Sequence, residues 1–314
     1  MTIQGHAHHA ARRFALPRIF VVATDLMDQE LLVPYVVSEA KRTSAHVVLV
    51  HATPYSADPM GLVFSPGLGD VYLDSLSALE AMQRSIQRQG ISCSIRISHK
   101  TPVDAVQHAI DDVHADRLIA GSRGRRNVKE WLLGSTARAF MSSLTIPMMF
   151  VGPNCRPASD GSIRNILCLI SLQKDYEELA HFAFYLAEVH DARVVLLHVL
   201  EATREQDTNP ARTEQWTRTA LHGLIDSYGR RKDRASVLVE RGDVATETLS
   251  AVEDSAADLI ITGTREPEHR SPLRDGIAYQ LVASAKVPVI CYRVNPGGLH
   301  APMSAAHERA ALRS

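Results

Sequence analysis

The sequence has no long apolar run. Its longest, such as Ile19-Phe20-Val21-Val22-Ala23 and Val47-Val48-Leu49-Val50, fall far short of the roughly 20 residues that span a bilayer, so no membrane role is expected. An excess of charge of one sign is also missing: 34 Lys and Arg face 35 Asp and Glu, a net charge of −1. Such a chain has no bulk positive field to draw it to nucleic acid, and binding a polyanion would need a local basic patch. Cysteine is scarce. Cys93, Cys155, Cys168 and Cys291 lie far apart, with no C-x-x-C pair and no His at ligand spacing. They are expected to be reduced and mostly buried, with Cys155, in a linker, the exposed one. Met1 to Pro17 contains Arg12 and Arg13 but no apolar stretch ahead of a small-residue cleavage site, which leads to the expectation of a cytoplasmic protein. His6, His8 and His9 could meet a metal but have no partner ligands in fixed geometry, so no metal site is assigned.

Familiar catalytic signatures are absent too. There is no Gly-x-Ser-x-Gly, no Walker Gly-Lys-Ser/Thr and no His-x-Gly-His. Phosphoryl transfer needs a positioned nucleophile and a metal clamp, and neither can be assigned; no catalytic residue is named, and enzymatic activity beyond a weak ATPase is not expected.

What the chain does have is enough apolar surface to fold, with 45% hydrophobic and 22% charged residues. At one domain per roughly 150 residues, 314 residues predict two domains. An internal repeat supports that count. Arg18 to His51 runs as apolar strand, turn, amphipathic stretch and second strand ending Val-Leu-Val-His. Asn165 to His198 repeats the order and ends Val-Leu-Leu-His. Further on, Ala115-Asp116-Arg117-Leu118-Ile119-Ala120-Gly121-Ser122-Arg123 matches Ala257-Asp258-Leu259-Ile260-Ile261-Thr262-Gly263-Thr264-Arg265.

Short apolar runs alternating with segments of helical period are the sign of a parallel sheet covered on both faces. The first repeat predicts strands near 18–24, 46–51, 93–98, 117–121 and 147–151, with helices near 29–43, 73–89, 103–114 and 134–143. The second predicts strands near 165–170, 193–199, 236–240, 258–262 and 288–293. The resulting division is an N-terminal arm (1–17), domain 1 (18–152), a linker (153–162), domain 2 (163–294) and a tail (295–314). Residues 53–70, with three prolines, read as a long insertion that is either a lid or a passive loop.

The chemistry concentrates in Gly121-Ser122-Arg123-Gly124-Arg125-Arg126-Asn127-Val128-Lys129-Glu130-Trp131-Leu132-Leu133-Gly134-Ser135-Thr136. This stretch follows a predicted strand and precedes a predicted helix. Glycines at 121 and 124 let backbone approach a ligand without Cβ interference. Gly134-Ser135-Thr136 opens a helix whose free N–H groups and positive dipole end suit an anion. The alternative is that these glycines only punctuate turns. Trp131 is read as a loop anchor.

Gly-x2-Gly-x9-Gly-Ser after an Asp-x-Leu-Ile-x-Gly strand resembles the nucleotide signature of the universal stress protein family. Asn127 to Ser135 resembles its ATP-binding branch, and Val21-Val22-Ala23-Thr24-Asp25 is similar to the family's first strand and acid. The likeness spans nearly all of 18–152 and, more weakly, 163–294. It implies an α/β fold of two tandem doubly wound parallel five-stranded sheets, Rossmann-like and of the adenine nucleotide alpha hydrolase type. The apolar last strands would be an aggregation hazard if exposed; the resemblance implies that they pair within the chain as a pseudo-dimer, with further homodimerisation left open. It also implies an ATP site in domain 1: Asp25 accepting from ribose or adenine groups, Ala52 meeting the adenine edge through its backbone, Ala120 and Gly121 along the ribose, and Gly124, Gly134, Ser135 and Thr136 holding phosphates. Arg123, with Arg125 or Arg126, could pair with phosphate oxygens, or these arginines are simply solvated.

Domain 2 departs from that pattern. Glu266 stands where the second glycine belongs, Gly276-Ile277 lacks the hydroxyl, and the place of Asp25 is taken by Ser171 or Leu172. Domain 2 is therefore expected not to bind ATP in this way. His51 and His198 end matching strands and are read as structural, and Asp111 and Asp112, adjacent on a helix, point apart. Three functions follow: an ATP-binding regulatory protein with unknown protein partners, a slow hydrolase with Asp25 holding Mg²⁺ on the phosphates, or a scaffold in which both sites are vestigial.

Overall fold

The computed structural model describes residues 16–26, 29–53, 68–121, 135–156, 160–172, 176–201, 209–264 and 276–293. They fall into two compact units, Pro17–Ser162 and the described residues from Ile163 onward.

In Pro17–Ser162 the chain order is β1 (Ile19–Ala23), α1 (Gln29–Thr43), β2 (His46–Ala52), α2 (Leu68–Gln87), β3 (Cys93–Ser98), α3 (Pro102–Val113), β4 (Arg117–Gly121), α4 (Ser135–Ser143) and β5 (Met148–Val151). The strands lie in the order β3-β2-β1-β4-β5, and every pair is parallel. Consecutive Phe20, Val21 and Val22 are all fully buried, which a strand achieves only when both faces of its sheet are covered. The outer β3 shows the opposite signature, half-buried along most of its length.

The second unit repeats this plan with β6 (Asn165–Leu169), α5 (Tyr176–His190), β7 (Arg193–Glu201), α6 (Pro210–Tyr228), a 3-10 turn (Lys232–Arg234), β8 (Ala235–Gly242), α7 (Val244–Asp254), β9 (Leu259–Thr264), α8 (Ile277–Ser284) and β10 (Val289–Arg293). Its order is β10-β9-β6-β7-β8, again parallel.

The repeat reaches individual hydrogen bonds. Asp116 Oδ2 accepts the N–H groups of Arg18 (2.7 Å) and Ile19 (2.9 Å) at the start of β1. Asp258 Oδ2 does the same for Arg164 (2.8 Å) and Asn165 (3.0 Å) at the start of β6. A carboxylate serves here because the first N–H groups of each strand have no ladder partner and burial would strand them. Left-handed turns recur as well, at Ser44 and Asp191 after the first helix of each unit, and at His114 and Ala256 before β4 and β9. Helix starts are capped by side chains: Thr101 accepts from Asp104 N, and Asp243 from Thr246 N.

One feature is not repeated. Glu39 on α1 and Arg117 on β4, with side chains 1% and 3% exposed, form a buried ion pair, and the Arg117 guanidinium lies 5.5 Å from the centre of the Phe20 ring. At the matching places in the second unit stand Leu186 and Leu259, both buried.

The linker is not loose where it is described. Tyr35 Oη donates to Arg156 O at 3.2 Å. Gly161 sits at φ +64°, so close to α1 that an added Cβ would lie 2.4 Å from Pro34 O. Cys155, expected to be exposed, is instead 4% exposed, because its sulfur turns inward to accept Gly152 N–H at 3.1 Å. All four cysteines are buried and outside any disulfide. Burial pushes the Cys93 and Cys291 thiols up to about 12, and Cys168 higher still.

Candidate functional site

In an open parallel sheet, the crevice for a ligand lies beyond the carboxyl ends of the strands, where strand order reverses. In Pro17–Ser162 that reversal falls between β1 and β4, since β2 and β3 continue to one side and β5 to the other. The register pairs Ala23 with Val50 on one side and with Ala120 on the other. It therefore brings the ends of β1, β2 and β4, with Asp25, Ala52, Ala120 and Gly121, to one edge. Helix α4, which leaves that edge, begins at Ser135.

Asp25 is held out by a small turn. Thr24 is nearly buried, its N–H donates to Val50 O at 3.2 Å, and its Oγ1 accepts Leu26 N–H at 3.0 Å. Leu26 adopts φ +71°, an uncommon conformation for a residue with a Cβ. His51 Nδ1 donates to Thr24 O at 2.8 Å and pins the turn from β2. His198 Nδ1 makes the same bond to Ile170 O at 2.7 Å. Both histidines thus orient the backbone that follows the first strand of their unit.

Ala52 and Gly121 are half-buried and Ala120 fully so; Ser135 is exposed and Thr136 half-buried in the first turn of α4. The phosphate part of the expected site, Arg123, Gly124 and Gly134, lies outside the described residues, as do Arg125, Arg126 and Trp131. Among the described residues no group of three or more His, Cys, Asp or Glu could hold a metal ion, and no helix is long and apolar enough to cross a membrane. Asp111 and Asp112 are separately engaged. Gln107 donates to Asp111 at 2.9 Å, and Arg96 pairs with Asp112 at 2.7 Å, a hydrogen bond that holds the Asp112 carboxyl below its ordinary range.

Superposing the two registers shows what changes between the units. Leu169 pairs with Leu197 and Thr262, so it takes the place of Ala23, and Ser171, not Leu172, takes the place of Asp25. Thr262 stands where domain 1 has Ala120, and Val199 where it has Ala52. Gly121 pairs with Val151 and Gly263 with Tyr292, so Arg293 stands where domain 1 has Gly152. Leu169, Val199, Thr262 and Arg293 are all buried. The second unit carries larger, buried side chains at positions where the first has a methyl group or hydrogen. Ala23 and Gly152 carry no motif of their own, and only the larger residue at the matching place in the other repeat marks them in the sequence.

Comparison with known proteins gives a consistent family. The model of the universal stress protein family matches residues 17–152 and again 162–293. A universal stress protein from Archaeoglobus fulgidus DSM 4304 is similar over 88% of this chain and 98% of its own, at 16% identity and a TM-score of 0.70. A functionally unknown protein from Pseudomonas aeruginosa PAO1 is similar over 95% of this chain and 98% of its own, at 14% identity and a TM-score of 0.61. A universal stress protein from Archaeoglobus fulgidus, solved in complex with dAMP, aligns with 44% of this chain and 99% of its own at 19% identity and a TM-score of 0.33. A search of curated proteins gives no match.

Proposed function

The chain belongs to the universal stress protein family, with two family domains in tandem, and we propose that domain 1 binds ATP at the carboxyl edge of its sheet while domain 2 is a partner that does not. The observation that carries this reading is the set of small residues near the strand ends, Ala23, Ala52, Ala120 and Gly152, replaced by Leu169, Val199, Thr262 and Arg293 in domain 2. Small residues at a strand edge let a ligand reach backbone N–H and C=O groups directly. In this reading Asp25 accepts hydrogen bonds from the ribose or adenine and Ala52 meets the adenine edge. Ala120 and Gly121 follow the ribose. Gly124, Gly134, Ser135 and Thr136 hold the phosphates at the start of α4, with Arg123 beside them.

The role is regulatory: nucleotide occupancy is the signal, read by a protein partner. No side chain is assigned to chemistry on the phosphates, and Mg²⁺ enters only as a companion of the nucleotide. The test is to denature freshly purified protein and quantify the small molecule released per chain, for the natural sequence and for Asp25→Ala and Gly134→Val. The expected result is stoichiometric ATP in the natural chain and its loss in both variants. A chain that carries no nucleotide and binds none when ATP is added would leave the scaffold reading in its place.

A further inference from the structure

Among the described residues, the end of domain 1 opposite the carboxyl edge of its sheet carries a cationic patch with a single acidic partner. Helices α1 and α2 pack together, and their C-terminal ends meet where Lys41 Nζ donates to Gln89 Oε1 at 2.9 Å. Around that junction lie Lys41, Arg42, Arg84 and Arg88, all exposed, and an open depression is lined by Arg84, Gln87 and Arg88. Among the described residues, Glu80 is the one acid that answers these four cations, at 3.4 Å from Arg84 with both side chains about half exposed. Lys41 is bonded to a neutral amide and Arg88 to a backbone carbonyl, Arg84 O.

Part of this pattern has an ordinary cause, since a basic residue in the last turn of a helix complements its dipole. Arg88, one residue past the end of α2, shares in this, since its Nε donates to the last-turn carbonyl of Arg84. Domain 2 is the internal control. At the corresponding corner it also gathers cations, but there Arg231 and Arg234 pair with Asp191 at 2.5 and 2.9 Å, and Lys232 pairs with Asp226 at 2.8 Å. Among the described residues, domain 2 pairs each of these cations with an acid, whereas domain 1 pairs only Arg84 of its four.

We propose that the Lys41, Arg42, Arg84 and Arg88 patch is a docking surface for an acidic protein segment. Guanidinium groups pair with carboxylates in fork geometry, which suits an acidic segment to Arg42, Arg84 and Arg88. No exposed aromatic is described on the patch for stacking a base, which is what single-stranded nucleic acid would use. The patch is independent of the nucleotide crevice, and the proposal stands whether or not domain 1 binds ATP.

The test uses the full chain and a fluorescent oligoglutamate peptide, with binding followed by anisotropy at low and physiological salt. The expected result is binding that weakens as salt screens it, by roughly two- to fivefold for each cation replaced with glutamine. Removing Arg42, Arg84 and Arg88 together is expected to weaken it at least about tenfold. Replacing Arg231 and Lys232 with glutamine in domain 2 is expected to leave peptide binding unchanged, and nucleotide released on denaturation should be the same in every variant. Absence of peptide binding at low salt, equal loss from the domain 2 variant, or tighter binding of a single-stranded oligonucleotide of matched charge would each overturn the proposal.

Discussion

Domain 1 and domain 2 share a skeleton and differ in what their edges do. The shared part includes Asp116 and Asp258 gathering the first N–H groups of a strand, His51 and His198 pinning the turn beyond it, and left-handed turns at Ser44 and Asp191. These groups satisfy backbone that burial would otherwise strand. The unshared part lies in three places: the buried ion pair, the small residues at the carboxyl edge and the charges at the opposite corner. Because one chain contains both versions, each difference can be tested by carrying residues from one domain into the other.

The largest effect is expected from the ion pair. Arg117→Leu alone leaves Glu39 buried without its cation, and breaking such a pair costs about 3–5 kcal/mol. Glu39→Leu together with Arg117→Leu recreates the Leu186 and Leu259 arrangement of domain 2 and is expected to recover most of that loss, since replacing a whole buried pair by packed apolar side chains is often neutral or better. Denaturant unfolding of the two variants decides it. A single substitution as mild as the double one would mean that the pair contributes little and that the comparison with domain 2 has no energetic content.

Next comes the crevice. Ala23→Leu with Ala120→Thr writes the larger residues of domain 2 into domain 1 and should weaken nucleotide binding by at least about a hundredfold, or roughly 2.7 kcal/mol. Isothermal titration with ATP, alongside a thermal melt to show that domain 1 still folds, measures it. Unchanged affinity would remove the observation on which the nucleotide reading rests. A smaller effect separates two glycines in the left-handed region. Gly161→Ala drives a Cβ into Pro34 O, whereas Gly229, at φ +75° in domain 2, has open space around it. Alanine at 229 is expected to cost about 1 kcal/mol through the backbone alone, and alanine at 161 about 2–3 kcal/mol because the neighbouring carbonyl must also move. Equal costs would show that the linker yields readily.

Much of the skeleton was legible because buried parallel strands are written as continuous apolar runs, and the strand and helix positions expected from the sequence recur within a few residues. The departures have physical causes. α2 begins at Leu68 rather than near 73, since Gly69 reads as loop but is tolerated in a helix at modest cost. β7 and β8 run on to Glu201 and Gly242, where the last ladder pair, Glu201 with Gly242, leaves no apolar signal. Asp25, Ala52, Ala120 and Gly121 could be named from a motif and do meet at one edge. Glu39 and Arg117 were not found, although the sequence placed an acid on the stripe of Leu32, Tyr35 and Val36, and an arginine at the head of an apolar strand. Only the fold, which brings α1 over β4, joins the two as a pair.

The smallest expected effect concerns acid, and it too differs between the domains. Asp191 is held below its ordinary value of 3.8, chiefly by hydrogen bonds from Arg231 and Arg234. Asp226 is lowered by Lys232, and Asp243 by the backbone and side chain of Thr246 at the start of α7. In domain 1 Asp112 is lowered, first through Arg96. A carboxyl whose folded value is depressed stabilises the fold above its unfolded value, and that contribution is lost as pH falls through the folded value. The acid-sensitive contribution therefore appears below about pH 4, and more of it belongs to domain 2. These groups are at the surface and screened, so each effect is small. Replacing Asp191, Asp226 and Asp243 with asparagine should flatten the acid limb of the stability curve of domain 2, while Asp112→Asn changes domain 1 only slightly. Hydrogen exchange resolved by domain, at neutral pH and near pH 3, would measure it. An equal acid loss in both domains would mean that the paired acids of domain 2 contribute no acid-sensitive stability of their own.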